Sequence, residues 1–188
     1  PQLACFGKSL GAGFPIAALV GKRDLMREFD LLYTANPVFM SFTNATNTIG
    51  LAAAKASLKL LKDGRVIEYV WDVGQRMIDD FLDIAGDAGL NGIAYVTGQP
   101  PRHNWRFQDT DVASSYALLA LFQQEMVKHG VMVGVTNCPT IMHEERELDM
   151  IREALEKSLP VVAKAVKSGT VKLLRGPVPT PLYVRKEQ

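Results

Sequence analysis

Lys8 stands in the stretch CFGKSLGAGFP, residues 5–15, with Gly7 on one side and Gly11 and Gly13 on the other. An amine in such a bend can hold a phosphate, form a covalent adduct with a carbonyl, or face water. The first use is suggested by GKS at 7–9, the tail of a phosphate-binding loop. That loop requires a glycine five residues before Gly7 and a helix directly after the lysine. Position 2 is Gln2, and the run from Gly11 to Pro15 interrupts any helix, so the phosphate-loop reading fails. GAGFPI also fails as a dinucleotide fingerprint, for it has no third glycine at the required step. An amine serves as a nucleophile when it is partly buried, its ammonium form is disfavoured, and a carbonyl can reach it. A lysine at the end of an apolar strand, held between glycines, suits that need. The same features suit a strand-end lysine that snorkels to solvent, and local features alone lean toward this plainer reading.

The other chemistry-bearing residues form no comparable constellation. His103, His129 and His143 have no carboxylate or cysteine at metal-ligand spacing and read as loop or cap residues. Ser9 and the pair Ser114-Ser115 lie in no nucleophile elbow. The carboxylates of HEEREL and MIDDFLD read as a helix start and a solvated helix face. Cys5 and Cys138 are far apart and match no metal or redox spacing, so packing cysteines in a reducing cytosol are the expectation.

The elements that must position Lys8 are short. QLACF at 2–6 and PIAALVG at 15–21 read as strands on either side of the glycine-rich bend. DLMREF follows as a short helix with Asp24 as its cap. TANPVFMSFTNATNT, residues 34–48, is a polar loop broken by Pro37 and rich in turn-forming side chains. From Thr48 an alanine-rich helix runs to Asp63-Gly64, its small residues allowing close packing. A second helix spans about Val66 to Ala85, with Ile67, Val70, Trp71, Gly74, Met77, Ile78 and Phe81 at helical spacing. Two strands follow, 93–97 and 104–108, around Gly98-Gln99-Pro100-Pro101. A helix is then predicted over 113–129, a strand over 131–135 (VMVGV) and a final helix over about 145–167. The tail after Gly169 is expected to be irregular and loosely held. The order is that of an α/β protein: the end of one αβ layer, two long helices, and a β-β-α-β-α unit over 87–168.

Composition closes off other classes. The 188 residues are 47% hydrophobic and 22% charged with a net charge of +1, which is ordinary for a globular chain. It lacks the clustered basic excess of a nucleic-acid surface. FPIAALV at 14–20, the longest strongly apolar stretch, is far too short to cross a bilayer. The chain opens on Pro1-Gln2-Leu3 without an initiator methionine, and the expectation is that it is part of a longer polypeptide.

Two segments together resemble a family. GKSLGAGFPIAALVGKRDLM is similar to the active-site lysine segment of the class III pyridoxal-phosphate aminotransferases, GK-x-[LI]-GGG-x-P, with Ala12 in place of one glycine. FTNATNTIGLAAAKASLKLL is similar to that family's G-T-x-S-G-N-P segment, with Thr43 and Asn47 matching and Ala45, Thr46 and Thr48 departing. FQQEMVKHGVMV and HEERELDMIREALEKSL look like the small-domain elements of the glutamate-1-semialdehyde aminomutase-like branch. The resemblance runs to about residue 168 and covers only the C-terminal half of the family's fold.

The resemblance implies an α/β chain that is the C-terminal part of a fold-type I PLP-dependent transferase. Residues 1–46 would end the large, cofactor-binding domain, 47–86 would be connecting helices, 87–168 the small C-terminal α+β domain, and 169–188 an irregular tail. It implies that Lys8 carries pyridoxal 5'-phosphate as a Schiff base and moves the proton, and that Thr43 binds the cofactor phosphate across a homodimer with shared active sites. Asn44 is a weaker candidate for a phosphate contact. The implied activity is cytoplasmic aminotransferase or aminomutase chemistry on a small-molecule amine or amino acid, with no metal, nucleic acid or membrane. The family's pyridine-binding aspartate, glycine-serine/threonine phosphate loop and ring-stacking aromatic lie upstream of its lysine. The 188 residues alone are therefore expected to be poorly active or inactive. The alternative is a truncated, catalytically silent relative serving as a structural or binding subunit. GVTNCPTIMHEE has no arginine where related enzymes grip an α-carboxylate, which leaves Arg102 and Arg106 as acid-binding candidates or plain surface residues.

Overall fold

The computed structural model describes residues 1–39, 44, 47–169 and 173–180. They divide into two units, Pro1–Val66 and Ile67–Gln188. In the first, β1 (Leu3–Phe6) and β2 (Ala18–Gly21) pair antiparallel, Leu3 opposite Gly21 and Phe6 opposite Ala18. Both strands are shorter than the apolar runs that announce them: Gln2 precedes β1, and 15–17 belong to the connection. α1 (Arg23–Met26) continues as a 3-10 turn, Arg27–Phe29. Asp24 is not its cap: Lys22 precedes the helix without a side-chain hydrogen bond, and Asp24 lies in the first turn, where its charge meets the positive helix end. α2 (Thr48–Leu61) completes the unit.

Among its described residues the first unit fully buries only Gly11, Gly50 and Ala54. Phe6, Phe14, Leu31, Leu32, Phe39 and Leu60 are all exposed. A two-stranded ribbon with so little burial has little stability of its own.

The second unit holds the core. α3 (Arg65–Asp87) leads into the hairpin β3 (Ala94–Gln99) and β4 (Arg102–Phe107), then α4 (Ser115–Lys128) and α5 (Glu145–Ser168). Alternation on β4 sends His103, Trp105 and Phe107 inward and leaves Asn104 and Arg106 half-exposed. Phe81 of α3 stacks on Trp105 at 5.3 Å and meets Phe122 of α4 edge-on at 5.9 Å. Leu118, Leu121, Leu155 and Leu159 fill the space around them. Gly74 lets the hairpin tip approach α3, for a Cβ there would strike the Pro100 carbonyl.

Three expectations are corrected here. VMVGV forms no strand; two residues beyond it, Asn137 pairs with His103 of β4 in an isolated antiparallel bridge. α4 begins at Ser115 rather than Ala113, because the Ser114 side chain accepts from Ala117 N and caps the helix. The tail is also not wholly loose: the Gln124 amide donates to Leu173 O at 3.0 Å and accepts from Arg175 N at 2.8 Å.

Candidate active site

The lysine segment joins β1 to β2 through a 3-10 turn, Lys8–Gly11. Gly7 is extended, and Lys8 then swings into the left-handed region with φ +53°. Ala12 and Gly13 follow with φ +47° and +97°. Only Lys8 and Ala12 adopt positive φ among the described non-glycine residues, at roughly 1–2 kcal/mol each. Such strain persists only where the surroundings over-determine the backbone. Here the turn is closed by Leu10 N to Gly7 O at 3.2 Å, Ala12 N to Ser9 O at 3.2 Å, and Phe14 N to Gly11 O at 2.9 Å.

Packing adds to these hydrogen bonds. A Cβ on Gly11 would lie 2.6 Å from Ile16 Cγ2, and one on Gly50 would lie 3.3 Å from Ile16 Cβ. Ile16 is thus wedged between the lysine turn and the first turn of α2. The GAG of the lysine segment and the Gly50 of the small-residue helix serve one contact. The Lys8 side chain itself is exposed, so the strand-end lysine is neither enclosed nor engaged in an ion pair among the described residues.

The start of α2 is capped by Asn47, whose Oδ1 accepts from Gly50 N at 2.9 Å while its carbonyl accepts from Leu51 N at 3.0 Å. Asn47 N in turn donates to Asn44 O at 3.2 Å. The residue singled out by resemblance therefore has a structural duty, shaping the chain's entry into the helix. Thr43 lies outside the described residues. Asn44 is exposed.

The histidines part company. His129 ends α4, and His143 is a turn residue whose Nδ1 accepts from Thr140 N at 3.1 Å. His103 is no loop or cap residue: it is fully buried on β4, and its Nδ1–H donates to Pro100 O at 3.0 Å. Burial pushes its pKa below the ordinary histidine value, with the Pro100 hydrogen bond opposing in part. Alternation in RHNWRF was the signal for this burial. No cluster of three or more His, Cys, Asp or Glu residues able to hold a metal occurs among the described residues. The carboxylates of the two acidic runs join helices: Arg76 bonds Glu145 at 2.7 Å, and Arg152 bonds Asp80. No helix among the described residues is long and apolar enough to cross a membrane.

With this geometry in place, comparisons with known proteins agree with one another. The model of the family described as aminotransferase class-III matches residues 1–159. Glutamate-1-semialdehyde 2,1-aminomutase of Syntrophobacter fumaroxidans is 28% identical in an alignment of 167 residues that covers 82% of this chain and 37% of that one. The 3-aminobutyryl-CoA aminotransferase of Cloacimonas acidaminovorans is 26% identical, over 87% of this chain and 38% of its own. A solved transaminase with PLP bound superposes with a TM-score of 0.78 at 23% identity, over 88% of this chain and 39% of that one. The last likeness shows a shared fold. This chain spans less than two-fifths of the length of these relatives.

Proposed function

This chain belongs to the class-III aminotransferase family, and from that premise we propose that it is the lysine-bearing part of a pyridoxal-phosphate-dependent aminotransferase or aminomutase. Its α/β architecture is part of the fold-type I transferase fold. The observation that carries the reading is the backbone of Lys8, held at φ +53° at the head of a turn that α2 braces.

The residues present fit the cofactor in their chemistry. Lys8 carries a primary amine that an aldehyde carbon can reach, the side chain being exposed. Thr43 and the first turn of α2 would hold the phosphate, through a hydroxyl and the positive end of a helix of 14 residues. When bound, the cofactor supplies an electron sink for charge developing on the substrate carbon. As a free amine, Lys8 Nζ would accept a proton from that carbon and return it. The Gly11–Ile16–Gly50 contact fixes the origin from which that side chain swings.

In this reading the substrate is a small-molecule amine or amino acid. Thr43 serves the partner protomer's site in a homodimer with shared active sites, and the enzyme is cytoplasmic. The reading assigns 1–46 to the end of the cofactor-binding domain, 47–86 to connecting helices, 87–168 to the small C-terminal domain and 169–188 to a tail.

The test is borohydride reduction of the pyridoxal-phosphate-loaded protein as isolated from its source, followed by proteolysis and mass mapping. The reduced adduct is expected on the peptide that contains Lys8. An adduct mapped only to other lysines overturns the assignment.

A further inference from the structure

A groove of about 290 Å³ runs between the β3–β4 hairpin and the first turn of α4, lined by Tyr95, Arg106, Phe107, Ser115, Tyr116 and Leu119. Arg106 and Tyr95 are cross-strand partners in the hairpin register, so their side chains rise from the same face as neighbours. The register thus sets a cation beside a phenol.

Arg106 is half-buried. Among the described residues its guanidinium makes neither an ion pair nor a hydrogen bond, and the hydroxyls of Tyr95 and Tyr116 have no partner either. Asp109, two residues beyond β4, is committed elsewhere. Its Oδ1 accepts from Ser115 N at 2.6 Å, and this bond holds its carboxyl below the usual carboxylate range. A guanidinium presents five N–H donors in a rigid planar fork that matches the two oxygens of a carboxylate. Partial removal from water strengthens such a pairing relative to a fully exposed one. Leu119 offers apolar surface beside it, and the two tyrosines add ring faces and hydroxyls that can donate to the same anion.

We propose that this groove binds a small carboxylate with an apolar body, Arg106 gripping the carboxylate and Leu119 with the Tyr95 and Tyr116 rings receiving the body. The site is independent of Lys8 and of any cofactor. Exposed Arg102, on the same strand, does not line it.

The test titrates 3-phenylpropionate into the full 188-residue chain labelled with nitrogen-15, at fixed ionic strength. Saturable amide shifts confined to residues 95, 106 and 115–119 are expected, with affinity at least tenfold weaker in Arg106→Gln. Arg106→Lys, which keeps the charge but not the fork, is expected between the two, and Arg102→Gln is expected to match the unmodified chain. The uncharged 3-phenylpropan-1-ol should bind weakly and equally to the unmodified chain and to Arg106→Gln. The proposal is overturned by shifts centred elsewhere, by no saturable shift, by undiminished affinity in Arg106→Gln, or by equal weakening in Arg102→Gln.

Discussion

Gly50, in the first turn of α2, lies so close to Pro15 that a Cβ on it would come within 2.9 Å of the Pro15 carbonyl oxygen. Backbone cannot yield as a flexible side-chain tip can. The helix that follows the long polar loop therefore braces the connection that presents Lys8. Gly50→Val is expected to push Pro15 and Ile16 away and loosen the lysine turn. Valine's helix propensity exceeds glycine's by only a few tenths of a kcal/mol, and an overpacking penalty of about 1–3 kcal/mol outweighs it. The yield of borohydride-trapped adduct at Lys8, at fixed pyridoxal phosphate, should fall at least tenfold. The thermal transition of the second unit should not move, and an unchanged adduct yield would show that the contact is not what orients Lys8.

Ala12 occupies a left-handed backbone position, φ +47°, at the one place where the segment departs from the triple glycine it resembles. Ala12→Gly relieves a strain of roughly 1–2 kcal/mol but loosens the unfolded chain by roughly 0.5–1 kcal/mol. A net gain of about 0.5–1 kcal/mol in the first unit is expected, read as slower hydrogen exchange of the Phe14 amide, which bonds Gly11 O. Faster exchange would contradict it.

Gly74→Ala tests the approach of the hairpin to α3. The new methyl meets the Pro100 backbone, and α3 or the hairpin must shift, at about 1–3 kcal/mol. A lowered denaturant midpoint for the second unit is the expected reading, against the usual stabilising effect of Gly→Ala in a helix.

His103 gives the second unit a pH dependence of known sign. Burial lowers its pKa in the folded state, so the unfolded chain binds the proton more readily. Stability is full above the unfolded histidine value of about 6.5 and declines as pH falls below it. The limiting slope is one proton, about 1.4 kcal/mol per pH unit. Denaturant midpoints at pH 7.5 and 5.5 should differ by less in His103→Phe than in the unmodified chain. Equal differences in both would exclude His103 as the source.

The long amphipathic helices were legible because their information is local. Met77 and Phe81 repeat at helical spacing, and α3 extends only one or two residues beyond the predicted 66–85 at either end. The 131–135 segment was not legible, because an apolar run becomes a strand only when a neighbour offers an edge. Among the described residues it forms no ladder with β4, and the isolated His103–Asn137 bridge lies two residues beyond it. The lysine turn is a third case. Gly7, Gly11 and Gly13 signalled a bend around Lys8, but no residue type signals a left-handed lysine. Nor does spacing alone reveal that Ile16 ties Gly11 to Gly50, a contact across 39 residues of chain. Resemblance named Lys8; the tertiary contact gives a physical account of how its backbone is held.

The aromatic cluster of the second unit also makes the protein self-reporting. Of the two tryptophans, Trp105 is 3% exposed and stacked nearly parallel on Phe81, whereas Trp71 is 44% exposed. Trp105 should fluoresce toward the blue, resist iodide quenching and carry near-ultraviolet circular dichroism. Trp71 should emit further to the red and be quenched readily. The melting of the core can thus be followed by light in the unlabelled chain, at wavelengths separate from the visible absorption of any chromophore held by Lys8.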